Sequence, residues 1–249
     1  MKTIAIIPAR YGSTRFPGKP LAMIDGVSMV MRVYFQVKQA ECCDRVMVAT
    51  DDDRIFQHVL EHGGKAMMTS ETHPSGTDRV CEAALEMLGE GKLKDHVVIN
   101  VQGDEPFISP DAIRLLAECF KDASVSIATL MKKISREEEL FDPNVVKVIP
   151  GKGKQAMYFS RSALPWIRGR ETSDWLTAFS FFKHIGIYAY RGDVLQEITK
   201  LETSPLELAE GLEQLRWLEN GYKINVEKTD YESLSVDTPE DLSKIMNKA

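Results

Sequence analysis

Apolar residues fall by turns into short unbroken runs and into helical spacing, and this alternation organises the first half of the chain. Thr3–Pro8 is a mostly apolar run and predicts a buried strand. From Val27 to Ala40 the apolar positions Met29, Val30, Val33, Tyr34 and Val37 recur at helical intervals, predicting a helix. Arg45–Thr50 predicts a second strand, and Asp53 to His62 a helix stopped by Gly63-Gly64. Lys65–Met68 follows as a short strand, Thr77 to Leu88 as a helix and His96–Val101 as a strand. Ser109-Pro110 then reads as a cap and first-turn proline opening a helix to Phe120. Strands alternating with helices at these lengths predict βαβ units, a mainly parallel sheet and an α/β fold.

The rhythm changes after Lys121. Val125–Met131, Val145–Ile149, Ala156–Ser160 and His184–Tyr190 read as strands with little helix between them. They predict an antiparallel β-rich insertion, about residues 124–190, within a single domain spanning 1–249, and it would serve as a dimerisation arm. Helical spacing returns from Pro205 to Asn220, closed by Gly221. Strands near Ile224–Glu227 and Ser233–Val236 come next. Thr238-Pro239-Glu240-Asp241 then opens a last helix in capping-box fashion.

Composition narrows the class. A net charge of −6 argues against a nucleic-acid surface, which needs a basic face. No apolar run reaches the roughly 20 residues of a membrane span, and the N-terminus lacks a leader pattern, so a cytoplasmic protein is expected. The four cysteines form no C-x-x-C pair, which disfavours a zinc or redox dithiol site.

Ligands of open parallel sheets bind beyond the carboxyl ends of the strands. After the first strand comes Ala9-Arg10-Tyr11-Gly12-Ser13-Thr14-Arg15-Phe16-Pro17-Gly18-Lys19-Pro20. Arg10, Arg15 and Lys19 gather three cations suited to phosphate oxygens, although a loop in water is the alternative reading. The segment is neither a Walker A sequence nor G-x-G-x-x-G, so kinase and dehydrogenase readings lose their usual support. Asp104, in Gln102-Gly103-Asp104-Glu105-Pro106, and Asp237 follow later strand ends. They could hold Mg²⁺, which takes one or two carboxylates plus substrate phosphates, or act as turn and helix-start residues. Ser75-Gly76-Thr77-Asp78-Arg79 could receive a base edge or a phosphate, or simply cap a helix through Thr77. His184 and Tyr188 lie four apart on one strand face, while Glu213 and Gln214 fall mid-helix. Arg161 and Arg168 offer cations for a substrate carboxylate, and Trp166 and Trp175 read as packing residues.

Taken in order, these blocks resemble the 3-deoxy-manno-octulosonate (KDO) cytidylyltransferases over nearly the whole chain. The marks are Ile7-Pro8-Ala9-Arg10-Tyr11 with Arg15-Phe16-Pro17-Gly18-Lys19-Pro20, Val48-Ala49-Thr50-Asp51, Ser75–Arg79, and Asn100–Pro106. Tyr158-Phe159-Ser160-Arg161, Lys183–Tyr188, Leu212–Arg216 and Val236–Asp241 complete the set. The resemblance implies a nucleotide-diphospho-sugar transferase-like α/β domain with a β-rich insertion, assembled as a homodimer. It further implies that CTP and KDO give CMP-KDO and pyrophosphate, with Mg²⁺ as cofactor, for lipopolysaccharide biosynthesis. Arg10, Arg15 and Lys19 match the triphosphate-binding cations, and Ala9, Ser75 and Gln102 the cytosine and ribose site. Asp104 and Asp237 match the metal ligands, so that Arg10, Lys19, Asp104 and Asp237 form the catalytic set. Gln102, Arg168, His184, Tyr188, Glu213 and Gln214 match the sugar-acid site. Rivals are a cytidylyltransferase for another acidic sugar, such as 8-amino-KDO or sialic acid, and a non-catalytic nucleotide-binding regulator.

Overall fold

In the computed structural model residues 1–12 and 15–246 are described; Ser13 and Thr14 of the basic loop lie outside them. In chain order the strands are β1 (Lys2–Ala9), β2 (Arg45–Thr50), β3 (Ala66–Met68), β4 (His96–Asn100), β5 (Ile127–Lys133), β6 (Lys147–Pro150), β7 (Ala156–Ser160), β8 (Phe182–Arg191) and β9 (Ile224–Lys228). A two-residue ladder, Met23–Ile24 with Val27–Ser28, precedes the first helix. The chain divides into two compact units. One holds 1–118, 187–199 and 233–249, and the other 119–186 and 200–232.

The first unit is the α/β part. Its strands run in the order β3-β2-β1-β4, all parallel, and the end of β8 pairs antiparallel with β4. Ile4 to Ile7 of β1 are buried without alternation, as expected of a strand covered on both faces. The helix Met29–Gln39 buries Met29, Val30, Met31, Val33, Tyr34 and Val37. Such a chain runs outward in one direction from β1 to β3 and in the other from β1 to β4. The turning point between β1 and β4 leaves a crevice at their carboxyl ends.

The second unit is a mixed sheet. β5 pairs in parallel with β9, while β7 and β8 pair antiparallel with β6. Ile134, Leu140, Trp175 and Phe181 form an apolar core here. Trp166, itself exposed, sets its ring edge-on to Trp175 at 4.9 Å. Among the described residues no helix is long and apolar enough to cross a membrane.

Several local expectations are corrected. The helix expected from Val27 begins at Met29, because Val27 and Ser28 pair with Met23–Ile24. Within the expected antiparallel insertion β6 does pair antiparallel with β7 and β8, but β5 pairs in parallel with β9, which lies beyond the insertion's bounds and returns beside it. The helix predicted over Pro205–Asn220 is two, Pro205–Glu210 and Gln214–Glu219, because Gly211 takes a left-handed φ of 61° and ends the first. Ser233–Val236 is no strand. It is held as a loop, with Val236 N–H donating to the Asp104 carbonyl at 2.9 Å. Ser75, rather than Thr77, caps the helix Gly76–Leu88, its hydroxyl accepting from the Asp78 N–H.

Candidate functional site

The crevice between the ends of β1 and β4 opens into a cleft of about 420 Å³. Its lining draws on Pro8, Ala9 and Arg10 at the end of β1, Arg15 and Lys19 in the basic loop, Ser75 and Gly76 at a helix start, Gln102 to Asp104 after β4, and Asp237. All of these belong to the first unit. Every residue assigned to nucleotide or metal from the sequence therefore stands on one cavity.

Local backbone chemistry explains the approach. Gly18 has φ 71°, and a Cβ there would meet the Tyr11 ring at 3.0 Å, so the basic loop folds back over its own tyrosine only with glycine. That ring lies 3.3 Å beneath the Arg54 guanidinium, which Asp52 holds in turn. At Gly103 a Cβ would stand 2.7 Å from the Pro8 carbonyl oxygen. Only a residue without a side chain lets the segment after β4 cross the end of β1, and this crossing brings Asp104 to the basic loop.

The charges are interlocked. Lys19 Nζ donates to Asp104 Oδ2 at 2.8 Å and to Asp237 Oδ1 at 3.4 Å, with only 14% of its side chain exposed. Arg15 reaches Asp237 at 3.1 Å from a far more open position. Arg10 is exposed and makes no ion pair among the described residues. Thr238 and Asp241 cap the last helix reciprocally, fixing the segment that carries Asp237. Among the described residues no three His, Cys, Asp or Glu cluster as a metal cage. Two carboxylates held on one ammonium are instead the short, hard-oxygen donor set that suits Mg²⁺ when phosphates complete the shell.

Three lining or supporting residues escaped the sequence reading. Arg79, almost wholly buried, pairs with Asp51 at 2.6 Å and with the Thr69 hydroxyl at 2.6 Å. His73 lines the cleft and bonds to Glu82. Arg79 stood inside a motif read either as receiving a base edge or a phosphate or as a helix cap, with no role given to its own side chain. No sequence signal set apart a histidine before proline and a carboxylate inside a helix.

The sugar candidates are distributed differently. Tyr188 belongs to the first unit, buried on β8 with its ring stacked at 5.9 Å on Tyr190. Arg168, His184, Glu213 and Gln214 belong to the second. Arg168 is exposed on a turn, Gln214 is buried, and Glu213 stands at the start of the helix Gln214–Glu219 rather than mid-helix. The Thr129 hydroxyl gives its proton to the Ile185 carbonyl, so it accepts from His184 Nε2–H at 2.9 Å. The edge of that imidazole is set on Phe159 at 5.1 Å.

Burial pushes the His184 pKa down to about 3. Below the ordinary imidazole pKa of about 6.5, the unfolded chain then takes up a proton that the folded chain refuses, so stability is lost as pH falls from there towards 3. Between pH 7 and pH 5 this residue is expected to remove about 1–2 kcal/mol. Urea unfolding of wild type and His184→Gln at both pH values tests it, since the variant should lose less. Equal losses would contradict a neutral buried ring.

Comparison with known proteins accords with this geometry. A cytidylyltransferase family model matches residues 4–224. The 3-deoxy-manno-octulosonate cytidylyltransferase of Parabacteroides distasonis is 54% identical, over 99% of this chain and 97% of its own. The chain belongs to this family. The enzyme of the same name from Bacteroides thetaiotaomicron is 51% identical over 97% and 96% of the two chains. Among solved structures, CMP:2-keto-3-deoxy-manno-octonic acid synthetase complexed with CTP superposes with a TM-score of 0.90 at 41% identity, covering 100% of this chain and 98% of that one. A 4-diphosphocytidyl-2C-methyl-D-erythritol synthase from Anaerococcus prevotii shares the fold at 14% identity, with a TM-score of 0.62 and coverage of 99% and 98%.

Proposed function

We propose that this cytidylyltransferase couples KDO to CTP, giving CMP-KDO and pyrophosphate for lipopolysaccharide assembly. The observation that carries the reading is the single cleft on which Arg10, Arg15 and Lys19 meet Asp104, Asp237, Ser75 and Gln102. The full-length similarity to enzymes of that name supports the choice of sugar and nucleotide.

In this reading the anomeric hydroxyl of KDO attacks the α-phosphorus. A new P–O bond forms, the bond to the bridging oxygen of the β-phosphate breaks, and the hydroxyl proton passes to solvent. Arg10, Arg15 and Lys19 hold the triphosphate and stabilise the charge that builds on leaving pyrophosphate. Ala9, Ser75 and Gln102 position the nucleoside, so that most of the rate comes from alignment and electrostatics. Asp104 and Asp237 would hold Mg²⁺, which supplies charge neutralisation at the phosphates. Gln102, Arg168, His184, Tyr188, Glu213 and Gln214 are assigned to the sugar acid, whose carboxylate suits the Arg168 guanidinium. A cytoplasmic homodimer is part of the same reading.

The test is pyrophosphate release with CTP, KDO and Mg²⁺, each omitted in turn. Release that needs all three is the expected result. Turnover that persists after exhaustive chelation would remove the metal role, and turnover with a different acidic sugar but none with KDO would overturn the substrate.

A further inference from the structure

Two residues before the helix cap Ser75, His73 lines the cleft with 18% of its side chain exposed. Its Nε2 contacts Glu82 Oε2, and the Glu82 carboxylate also accepts the Ser70 N–H at 3.0 Å. Burial acts to raise the Glu82 pKa. The bonds from His73 and Ser70 outweigh it and hold the group below its ordinary value, so it is a carboxylate. A carboxylate can only accept, so Nε2 carries a proton, and in the neutral tautomer Nδ1 is a lone-pair acceptor. Nδ1 has no hydrogen-bond partner among the described residues.

The charged groups nearest His73 are already engaged, Glu82 by His73 and Ser70, and Arg79 by Asp51 and Thr69. Pro74 and Gly76 adjoin His73, and a Cβ on Gly76 would stand 3.7 Å from the Pro8 ring, so proline faces bound this part of the cleft. The cations suited to a phosphate chain come from the loop after β1. A flat base suits the proline-walled side. Cytosine differs from uracil there by an exocyclic amine, a donor, in place of a carbonyl oxygen, an acceptor.

Resting on the reading that the cleft takes a pyrimidine nucleotide, we propose that His73 is a specificity-determining residue, its Nδ1 accepting from the cytosine amine while Glu82 fixes the tautomer. Uracil would set oxygen against the same lone pair. Unpaired buried acceptors discriminate strongly against an isosteric ligand that lacks the donor. Glu82→Gln sharpens the case. An amide oxygen at the Oε2 position accepts from both the Ser70 N–H and His73 Nε2–H, so this variant keeps the tautomer and the CTP preference, whereas Glu82→Leu releases the ring.

The experiment compares kcat/KM for CTP and UTP in wild type, His73→Ala, His73→Asn, Glu82→Gln and Glu82→Leu, with circular dichroism to verify folding. In His73→Ala the KM for CTP should rise about tenfold with kcat and the KM for KDO little changed, so the CTP preference falls. His73→Asn, able to offer an amide oxygen near the Nδ1 position, should recover part of it. Glu82→Gln should keep the wild-type ratio and Glu82→Leu should lower it. An unchanged CTP/UTP ratio in folded His73→Ala and Glu82→Leu would overturn the assignment, as would a fall confined to kcat. Wild-type protein that turns over no pyrimidine nucleotide would instead overturn the underlying functional reading, and this proposal with it.

Discussion

Asp104→Asn is expected to lower kcat/KM for pyrophosphate release by about 10³-fold while leaving the fold intact. The side chain sits at one end of the interlocked charges, 2.8 Å from Lys19, on the segment that Gly103 carries across β1. Asparagine keeps its size and the backbone carbonyl that receives Val236 N–H, so the loop bearing Asp237 stays in place. What disappears is one of two hard anionic donors, and a lone carboxylate grips a divalent ion far less firmly. Stability should change little, because a partly exposed ion pair contributes at most about 1 kcal/mol. Steady-state pyrophosphate release, with calorimetric titration of CTP, separates the outcomes. Retention of a tenth of wild-type activity would remove Asp104 from the catalytic set.

The second large effect concerns stability. Lys183 is 7% exposed, donates to Glu139 at 2.8 Å and contacts Glu232. Glu139 is itself buried, and although burial acts to raise its pKa, bonds from Arg136 and Lys183 hold it below the ordinary value. Lys183→Met leaves that carboxylate with Arg136 alone and is expected to cost about 3–5 kcal/mol. Adding Glu139→Leu should restore much of the loss, since an apolar replacement of a buried pair is often neutral. Urea denaturation of the single and double variants checks both statements, and a loss below about 1 kcal/mol in Lys183→Met would show that the charge had been screened by water. The Glu139 contribution is present above the ordinary carboxylate range and fades as pH falls through it, because the folded pKa is the lower one.

Strand positions in the first unit were legible because buried parallel strands leave continuous apolar runs, and β2 matches its expected bounds residue for residue. The basic loop and Asp104 were legible for a related reason, since βα turns of such a sheet must emerge at its carboxyl edge. Elsewhere the information was not local. Nothing near Ile224–Lys228 indicates that it lies parallel to β5, nearly a hundred residues earlier. Gly211 could have sat in a helix interior at modest cost, and only its left-handed backbone in the folded chain divides the helix. His73 and Glu82 lie nine apart, and their partnership depends on how the loop before the helix turns back.

The Lys19 ion pairs also determine what the cleft ignores. Of the three cations in the loop after β1, Arg15 and Lys19 are already engaged by Asp104 and Asp237, leaving Arg10 alone unpaired among the described residues. Beyond Arg10, free phosphate arriving without a counter-ion has to strip one of those partners, and it gains little by doing so. A polyphosphate that brings its own divalent cation faces a different transaction, because carboxylates and ammonium change partners together and no charge is stranded. In the proposed reading the cleft would act as an ion exchanger, meeting a bare anion through Arg10 and the nucleotide–metal couple through all three cations of the loop.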